Sequence, residues 1–188
     1  MTARASAAGI RLLCLDVDGV LTDGSVVLDG EGRESKVFNV KDGLGISLWQ
    51  RLGGKVAIVT GRPCGAALQA RARELRIEHV VSSSADKAAG IREVAAACGV
   101  PQSAAAFVGD DLPDIPAMRA CGYPVAVADA VPEVRAVAAF VTAAPGGRGA
   151  VREVVEHLLR VQDRWSEALS MFDAPSAAGA GIDRPRSA

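Results

Sequence analysis

Ile10-Arg11-Leu12-Leu13-Cys14-Leu15-Asp16-Val17-Asp18-Gly19-Val20-Leu21-Thr22-Asp23-Gly24 is the stretch from which the rest of the chain is read. Its apolar run, residues 10–15, reads as a buried strand. Asp16 and Asp18 fall where that strand ends, and Gly19 lets the chain turn. Side chains two apart on an extended backbone point the same way, so both carboxylates face one small volume. Like charges that close repel, and a cation between them offsets the cost. Taken alone, Asp-x-Asp-Gly reads more readily as a solvated acidic turn, which is what most such stretches are. The remainder of the chain has to decide.

Next come Ser25-Val26-Val27-Leu28, Asp29-Gly30-Glu31-Gly32 and Arg33 to Phe38. Asp-Gly between β-prone runs predicts a hairpin, here projecting beside the aspartates from the end of the first strand. A helix is expected from about Asp42 to Leu52, with Asp42 as its N-cap. From Lys55 the pattern alternates. Lys55–Val59 is a strand ending at Thr60-Gly61-Arg62-Pro63, and a helix with Pro63 in its first turn runs to about Leu75. A strand near His79–Val81 leads through Ser82-Ser83-Ser84-Ala85-Asp86-Lys87 into a helix ending near Ala97. Ala104–Val108 is a strand ending in Gly109-Asp110-Asp111-Leu112-Pro113-Asp114. Strands at Pro124–Val127 and Phe140–Thr142 follow, separated by a helix near Glu133 to Ala139.

Such alternation predicts an α/β fold, a doubly wound, mostly parallel sheet with right-handed crossovers and a β-hairpin insertion after the first strand. After Pro145-Gly146-Gly147-Arg148-Gly149 a helix carries Val151, Val154, Val155 and Leu158. A second amphipathic segment places Val161, Trp165, Leu169 and Phe172 at helical spacing, a packing stripe. Residues 1–9 read as a flexible start, 10–172 as one domain, and 173–188, rich in Ala, Gly, Ser and Pro, as a disordered tail.

The 188 residues are 49% hydrophobic and 23% charged with net charge −1, which suits a globular domain and excludes a nucleic-acid or membrane surface as partner. Four cysteines, at 14, 64, 98 and 121, form no pair at metal-ligand spacing, and Cys14 and Cys98 read as core thiols. His79 and His157 are too few for a histidine metal site or triad and read as structural. No apolar run reaches the roughly 18 residues of a membrane span, and no signal peptide is apparent, so the cytoplasm is the default.

Ligands in doubly wound sheets bind at the carboxyl ends of the strands, and the polar residues fall there in turn. Asp16 and Asp18 follow the first strand, Thr60 the second, Lys87 opens the helix after the third, and Asp110 and Asp111 follow the fourth. No G-x-G-x-x-G and no G-x-x-x-x-G-K-[ST] is present, which removes the nucleotide alternatives. The set fits phosphoryl transfer through an aspartyl-phosphate. Mg²⁺ suits such an all-oxygen site, with Asp16, Asp18, Asp110 and Asp111 as metal candidates and Asp16 as the nucleophile. Asp18 would protonate the departing alkoxide and then deprotonate water, while Thr60 and Lys87 hold phosphoryl oxygens. Asp110-Asp111 also reads as a helix-start acidic pair, a role for which Asp114 is the better candidate.

Asp16-Val17-Asp18-Gly19-Val20-Leu21-Thr22, Val59-Thr60-Gly61-Arg62, Lys87 and Gly109-Asp110-Asp111-Leu112-Pro113-Asp114 resemble the four motifs of the haloacid-dehalogenase superfamily, in order. Phe38-Asn39-Val40-Lys41-Asp42-Gly43 and Gly146-Gly147-Arg148-Gly149-Ala150-Val151-Arg152-Glu153 resemble stretches of its 3-deoxy-D-manno-octulosonate 8-phosphate phosphatase branch. The resemblance spans about residues 10 to 172. It departs from the family pattern before Lys87, where a glycine is usual and this chain has serines.

The resemblance implies a Rossmann-like sheet, Mg²⁺, an acidic sugar phosphate as substrate, and a homotetramer whose hairpins form a central β-barrel. It also implies an active site covered by a neighbouring subunit. The spacing independently leaves no room for a cap domain. Substrate-contact candidates are Asp18, Asn39, Lys41, Gly43, Thr60, Gly61, Arg62, Arg71, Lys87 and Arg148. For Asn39, Lys41 and Gly43 the plain reading is a helix-entry turn, for Arg71 a solvated helix face, and for Arg148 a helix entry. Rival functions are a phosphatase for a nine-carbon, sialic-acid-type sugar phosphate and a non-catalytic assembly module of a sugar-nucleotide synthetase. Dehalogenase chemistry is disfavoured, because Asp18 supplies an acid that phosphoester cleavage needs.

Overall fold

The strands, in chain order, are β1 (Leu12–Leu15), β2 (Val27–Leu28), β3 (Glu34–Ser35), β4 (Lys55–Val59), β5 (His79–Val81), β6 (Ala105–Gly109), β7 (Tyr123–Ala126) and β8 (Phe140–Val141). All four β1 side chains are fully buried, and a strand with no solvent face belongs inside a sheet covered on both sides. The structure, a computed structural model that describes residues 7–173, places it there. The six-stranded sheet has the order β5-β4-β1-β6-β7-β8, with every pairing parallel. The chain moves outward from β1 to β5 and returns to β6 on the other side of β1. The order therefore reverses at β1, and a crevice opens at the carboxyl ends of β1 and its neighbours.

The helices are α1 (Val40–Arg51), α2 (Ala66–Glu74), α3 (Lys87–Ala97), α4 (Ile115–Ala120), α5 (Pro132–Val137), α6 (Ala150–Val161) and α7 (Trp165–Asp173). α1 packs on α6, and α3 packs on α4. In α6 the buried residues Val151, Val154, Val155, Leu158 and Leu159 recur at the spacing of one helical face. Right-handed crossovers place α1 and α2 on one side of the sheet and α3 to α5 on the other.

Several local readings are corrected. Asn39, not Asp42, caps α1: its side chain accepts from Lys41 N at 2.8 Å. Asp42 is buried and accepts from Gly149 N at 3.2 Å and Arg152 N at 2.8 Å, so it caps the distant helix α6. α2 starts at Ala66 rather than Pro63, because Gly65 ahead of it is extended. The hairpin pairs only two residues per strand, Val27 with Ser35 and Leu28 with Glu34. Its turn is held by Asp29 Oδ1, which accepts from Glu31 N and Arg33 N.

Ala7–Gly9, within the segment read as flexible, form a 3₁₀ turn. Gln162 Nε2 donates to Ala7 O and Ile10 O beside it. Asp173 ends α7, and the remainder of the expected disordered tail lies outside the described residues. The α7 stripe is only half used: Arg160 and Arg152 stack on Trp165 at 4.8 and 5.5 Å and Ala168 is buried, while Leu169 and Phe172 remain exposed. Cys98 is half-buried at the end of α3, against the expectation of a core thiol that Cys14 meets. His157 is packed, with Phe140 stacked at 4.1 Å and Tyr123 Oη 2.9 Å from Nε2.

Candidate active site

Asp16 N donates to Val108 O at 3.1 Å, which continues the β1–β6 ladder to its last rung and leaves the Asp16 side chain at the strand end. Beyond it Gly19 adopts φ +86, a left-handed conformation that a glycine takes without penalty. A Cβ on Gly19 would collide with the Asp110 carboxylate, so the turn after β1 is pressed against the end of β6. Asp16, Asp18, Thr60, Gly61, Arg62, Lys87, Asp110 and Asp111 line one cavity of about 310 Å³, with Gly24, Pro113 and Asp114 completing it. A larger cleft of about 970 Å³, with Lys55, Glu78 and His79 among its lining residues, opens at the opposite ends of β4 and β5, away from the acidic cluster.

Lys87 is the hub. Its buried Nζ lies 2.9 Å from Asp16 Oδ1 and 2.6 Å from Asp114 Oδ1. Burial alone would lower the Lys87 ammonium, but the Asp16 and Asp114 carboxylates outweigh it and raise its pKa. In the serine loop before it, Ser83 takes φ +57, Ser83 N donates to Arg62 O and Ser84 N to Thr60 O. Thr60 is buried, and its Oγ1 accepts from Arg62 N at 3.3 Å.

Asp16, Asp110 and Asp114 bring carboxylate oxygens within 4.8 Å of one another. Their roles differ. Both Asp114 oxygens are committed, Oδ1 to Lys87 and Oδ2 to Asp110 N and Asp111 N at 2.9 and 3.3 Å. Asp110 Oδ1 is buried with no hydrogen-bond partner. An orphaned carboxylate oxygen beside a second carboxylate marks a place for a cation. Burial, then Asp114 and Asp16, push Asp110 up to about 8. Burial and Asp114 push Asp16 up to about 6, against the lowering effect of Lys87. An all-oxygen pair of this kind fits a hard divalent ion, and Asp16 and Asp110 are the residues free to hold it.

Two further metal candidates line the cavity but give their carboxylates other partners. Asp111 is exposed and uses Oδ1 to cap the turn Leu112–Asp114, accepting from Leu112 N at 2.7 Å. Asp18 faces the cavity, but its Oδ1 accepts from Lys36 Nζ at 2.5 Å and its Oδ2 lies 3.8 Å from Arg62 Nη1, apart from the acidic trio.

Five expected substrate contacts do not line the cavity. Asn39, Lys41 and Gly43 form the entry of α1, Lys41 exposed and Gly43 packed beside Arg71. Arg71 donates to Asn39 O at 3.1 Å and lies over the Phe38 ring at 5.6 Å, so it braces that entry. Arg148 pairs at the surface with Asp23 at 3.1 Å. Sequence reading missed Lys36 and Glu34, whose two-residue spacing at the end of the hairpin was the available signal, and it assigned Asp114 only a helix-start role.

A sheet switched at β1, with an acid pair, a hydroxyl and a lysine at its carboxyl edge, defines a hydrolase of the haloacid-dehalogenase class. The profile of that family, described as haloacid dehalogenase-like hydrolase, matches residues 73–153. The chain is 43% identical over 165 residues to the 3-deoxy-D-manno-octulosonate 8-phosphate phosphatase KdsC of Yersinia pestis, covering 88% of each. Among solved structures, the corresponding Moraxella catarrhalis phosphatase, determined with magnesium, phosphate and KDO, superposes with TM-score 0.85 at 38% identity, covering 88% of this chain and 95% of that one. The cobalt-bound Haemophilus influenzae phosphatase gives TM-score 0.83 at 33% identity, covering 87% and 98%. The chain belongs to the 3-deoxy-D-manno-octulosonate 8-phosphate phosphatase family. It is an enzyme, a phosphoric monoester hydrolase.

Proposed function

We propose that the protein is a Mg²⁺-dependent phosphatase releasing phosphate from 3-deoxy-D-manno-octulosonate 8-phosphate through an aspartyl-phosphate on Asp16. The observation that carries the chemistry is the orphaned Asp110 Oδ1 beside Asp16, in a cavity that also presents Thr60 and Lys87. The substrate assignment draws on the 43% identity with KdsC over 88% of each chain. Asp16 and Asp110 would hold the ion, which when bound neutralises charge between carboxylate and phosphate.

In the first half-reaction an Asp16 oxygen forms a bond to phosphorus as the bond to the sugar oxygen breaks. Asp18 gives its proton to the departing alkoxide. In the second half Asp18 takes a proton from water, whose oxygen bonds to phosphorus and frees Asp16. Lys87 and the Thr60 hydroxyl hold phosphoryl oxygens throughout. Asp114 keeps Lys87 aimed at that position.

The same reading takes the enzyme as a cytoplasmic homotetramer. The exposed apolar side chains of the hairpin, Val26, Val27, Leu28 and Val37, support a subunit interface there. Four free cysteines fit a reducing compartment, and no helix among the described residues is long and apolar enough to cross a membrane. Phosphate release is to be measured with eight- and nine-carbon acid sugar phosphates, with and without Mg²⁺. Wild type is expected to favour the eight-carbon substrate in kcat/KM, and Asp16→Asn to lose Mg²⁺-dependent turnover. Undiminished turnover by the variant refutes the mechanism, and a preference for nine carbons refutes the substrate.

A further inference from the structure

The hairpin reaches into the site through one buried cation. Glu34 lies on the returning strand β3 and Lys36 follows one residue past its end, and both side chains turn toward Asp18 and Arg62. Lys36 Nζ donates to Asp18 Oδ1 at 2.5 Å and to Glu34 Oε1 at 3.2 Å, and its side chain is only 4% exposed. Arg62 joins the group from the end of β4, its Nη2 2.7 Å from Glu34 Oε1. Both β2 residues and most of the turn are exposed, so a lysine here would ordinarily extend into water. An ammonium withdrawn from water is costly unless paired, and this one is paired first of all with the carboxylate that faces the cavity.

We infer that Lys36 is a positioning residue that holds the Asp18 carboxylate in the orientation needed for proton transfer to and from the leaving oxygen, making the hairpin a working part of the active site. The inference rests on the phosphatase reading above. Among the described residues, the bond from Lys36 is the hydrogen bond that restrains the Asp18 carboxylate, with Arg62 farther off at 3.8 Å. General acid catalysis requires the donor within hydrogen-bond reach of the oxygen it protonates, and a free carboxylate rotor would spend much of its time elsewhere. Lys36 acts through one Asp18 oxygen and leaves the other to the reaction. Lys87 and Thr60 already face the phosphate position, so Lys36 is not needed as a phosphate contact.

A leaving-group comparison tests this. A sugar alkoxide must be protonated as it departs, whereas p-nitrophenolate leaves with little help. Lys36→Met keeps the length and removes the charge. It is expected to lower kcat on the sugar phosphate by about tenfold or more, with KM within about twofold, and to lower kcat on p-nitrophenyl phosphate by less than about threefold. Lys36→Arg, which restores donor and charge, is expected to recover most of the loss. In an Asp18→Asn background Lys36→Met should add no further loss, because the residues act as a unit. Equal losses on both esters, or additive losses in the double variant, overturn the inference. Melting curves accompany each variant, and if methionine unfolds the protein, Lys36→Gln is read in the same way. Failure of wild type on the eight-carbon sugar phosphate alone sinks the substrate assignment and not the role of Lys36. The comparison then runs on whichever alkyl phosphate the wild type hydrolyses. Absence of any Mg²⁺-dependent phosphomonoesterase activity removes both.

Discussion

Replacing Asp114 by Asn separates the residue that aims Lys87 from the residues free to hold a cation. The Asp114 side chain is 1% exposed and accepts three hydrogen bonds, from Lys87 Nζ at 2.6 Å and from the Asp110 and Asp111 amides at 2.9 and 3.3 Å. An amide has one oxygen, so its NH₂ must face either the ammonium or the two backbone N–H groups. One buried donor is then left opposite another, at about 1–3 kcal/mol. Lys87 retains Asp16 at 2.9 Å, so the larger cost of stranding a buried charge is only partly incurred. In the other direction, loss of one negative charge relieves Asp110 and Asp16, both raised by Asp114. The net expectation is about 2 kcal/mol of destabilisation, a fall in Tm of about 4–8 °C for a domain of this size. kcat should fall as well, because Lys87 keeps only one of its two anchors. Thermal melts without metal, beside steady-state kinetics at saturating Mg²⁺, provide the assay. Asp111→Asn is the control, expected near neutral because its exposed side chain only caps a turn and Asn caps as well. A D114N protein with unchanged Tm and kcat would refute the reasoning, as would loss of the Mg²⁺ response in D111N alone.

Gly19→Ala sets a Cβ against the Asp110 carboxylate at a residue held at φ +86, so both backbone strain of about 1–2 kcal/mol and displacement of Asp110 are expected. A Mg²⁺ titration of activity should show half-saturation shifted upward by about tenfold or more, and an unshifted curve would mean that Asp110 does not hold the ion. The pH dependence follows from the raised carboxyls, Asp110 at about 8 and Asp16 at about 6. Below those values the metal-free folded protein carries protons that an ion must displace, so Mg²⁺ affinity should climb by about tenfold per pH unit between pH 6 and pH 8, more steeply below pH 6 where both carboxyls are protonated, and level off above pH 8. The sign for stability is the reverse. The folded state binds more protons than the unfolded one between about pH 4 and pH 8, so the metal-free protein should lose stability as pH rises through that window, and calorimetry at several pH values checks it.

What was legible in the sequence is what lies contiguous in it. β1 announces itself as an unbroken apolar run, Asp16, Thr60 and Asp110 each follow directly from the end of a strand, and Lys87 opens the helix after β5. Parallel topology then brings these ends together without further information. What was illegible depends on contacts across the chain. Asp42 looks like the cap of its own helix, yet its partners lie at Gly149 and Arg152, and no local pattern records that distance. The pair Asp110-Asp111 looks like two ligands. The turn after β6 directs the Asp111 side chain to its own capping bond and brings Asp114 back under Lys87. Lys36 was hidden for a similar reason: which face of a two-residue strand pair turns inward is decided by where the hairpin folds.

The two stretches that most resemble the phosphatase branch outside the four motifs converge on the turn after β1 rather than on the cavity. Gly147 N donates to Val20 O at 2.9 Å, and Asn39 Nδ2 reaches Gly147 O at 3.4 Å. Side chains at Gly146 and Gly147 would strike the backbone at Gly19 and Thr22, so glycine is needed there for close approach and not for a ligand. Asp42 ties the same loop to α1. Residues 39–43 and 146–152 form a strap behind the segment that carries Asp16 and Asp18. Their likeness to the family is explained by the accuracy with which those aspartates must be held, since the geometry of proton and phosphoryl transfer tolerates little displacement. That account places recognition of the sugar with groups already at the cavity mouth, Arg62 foremost.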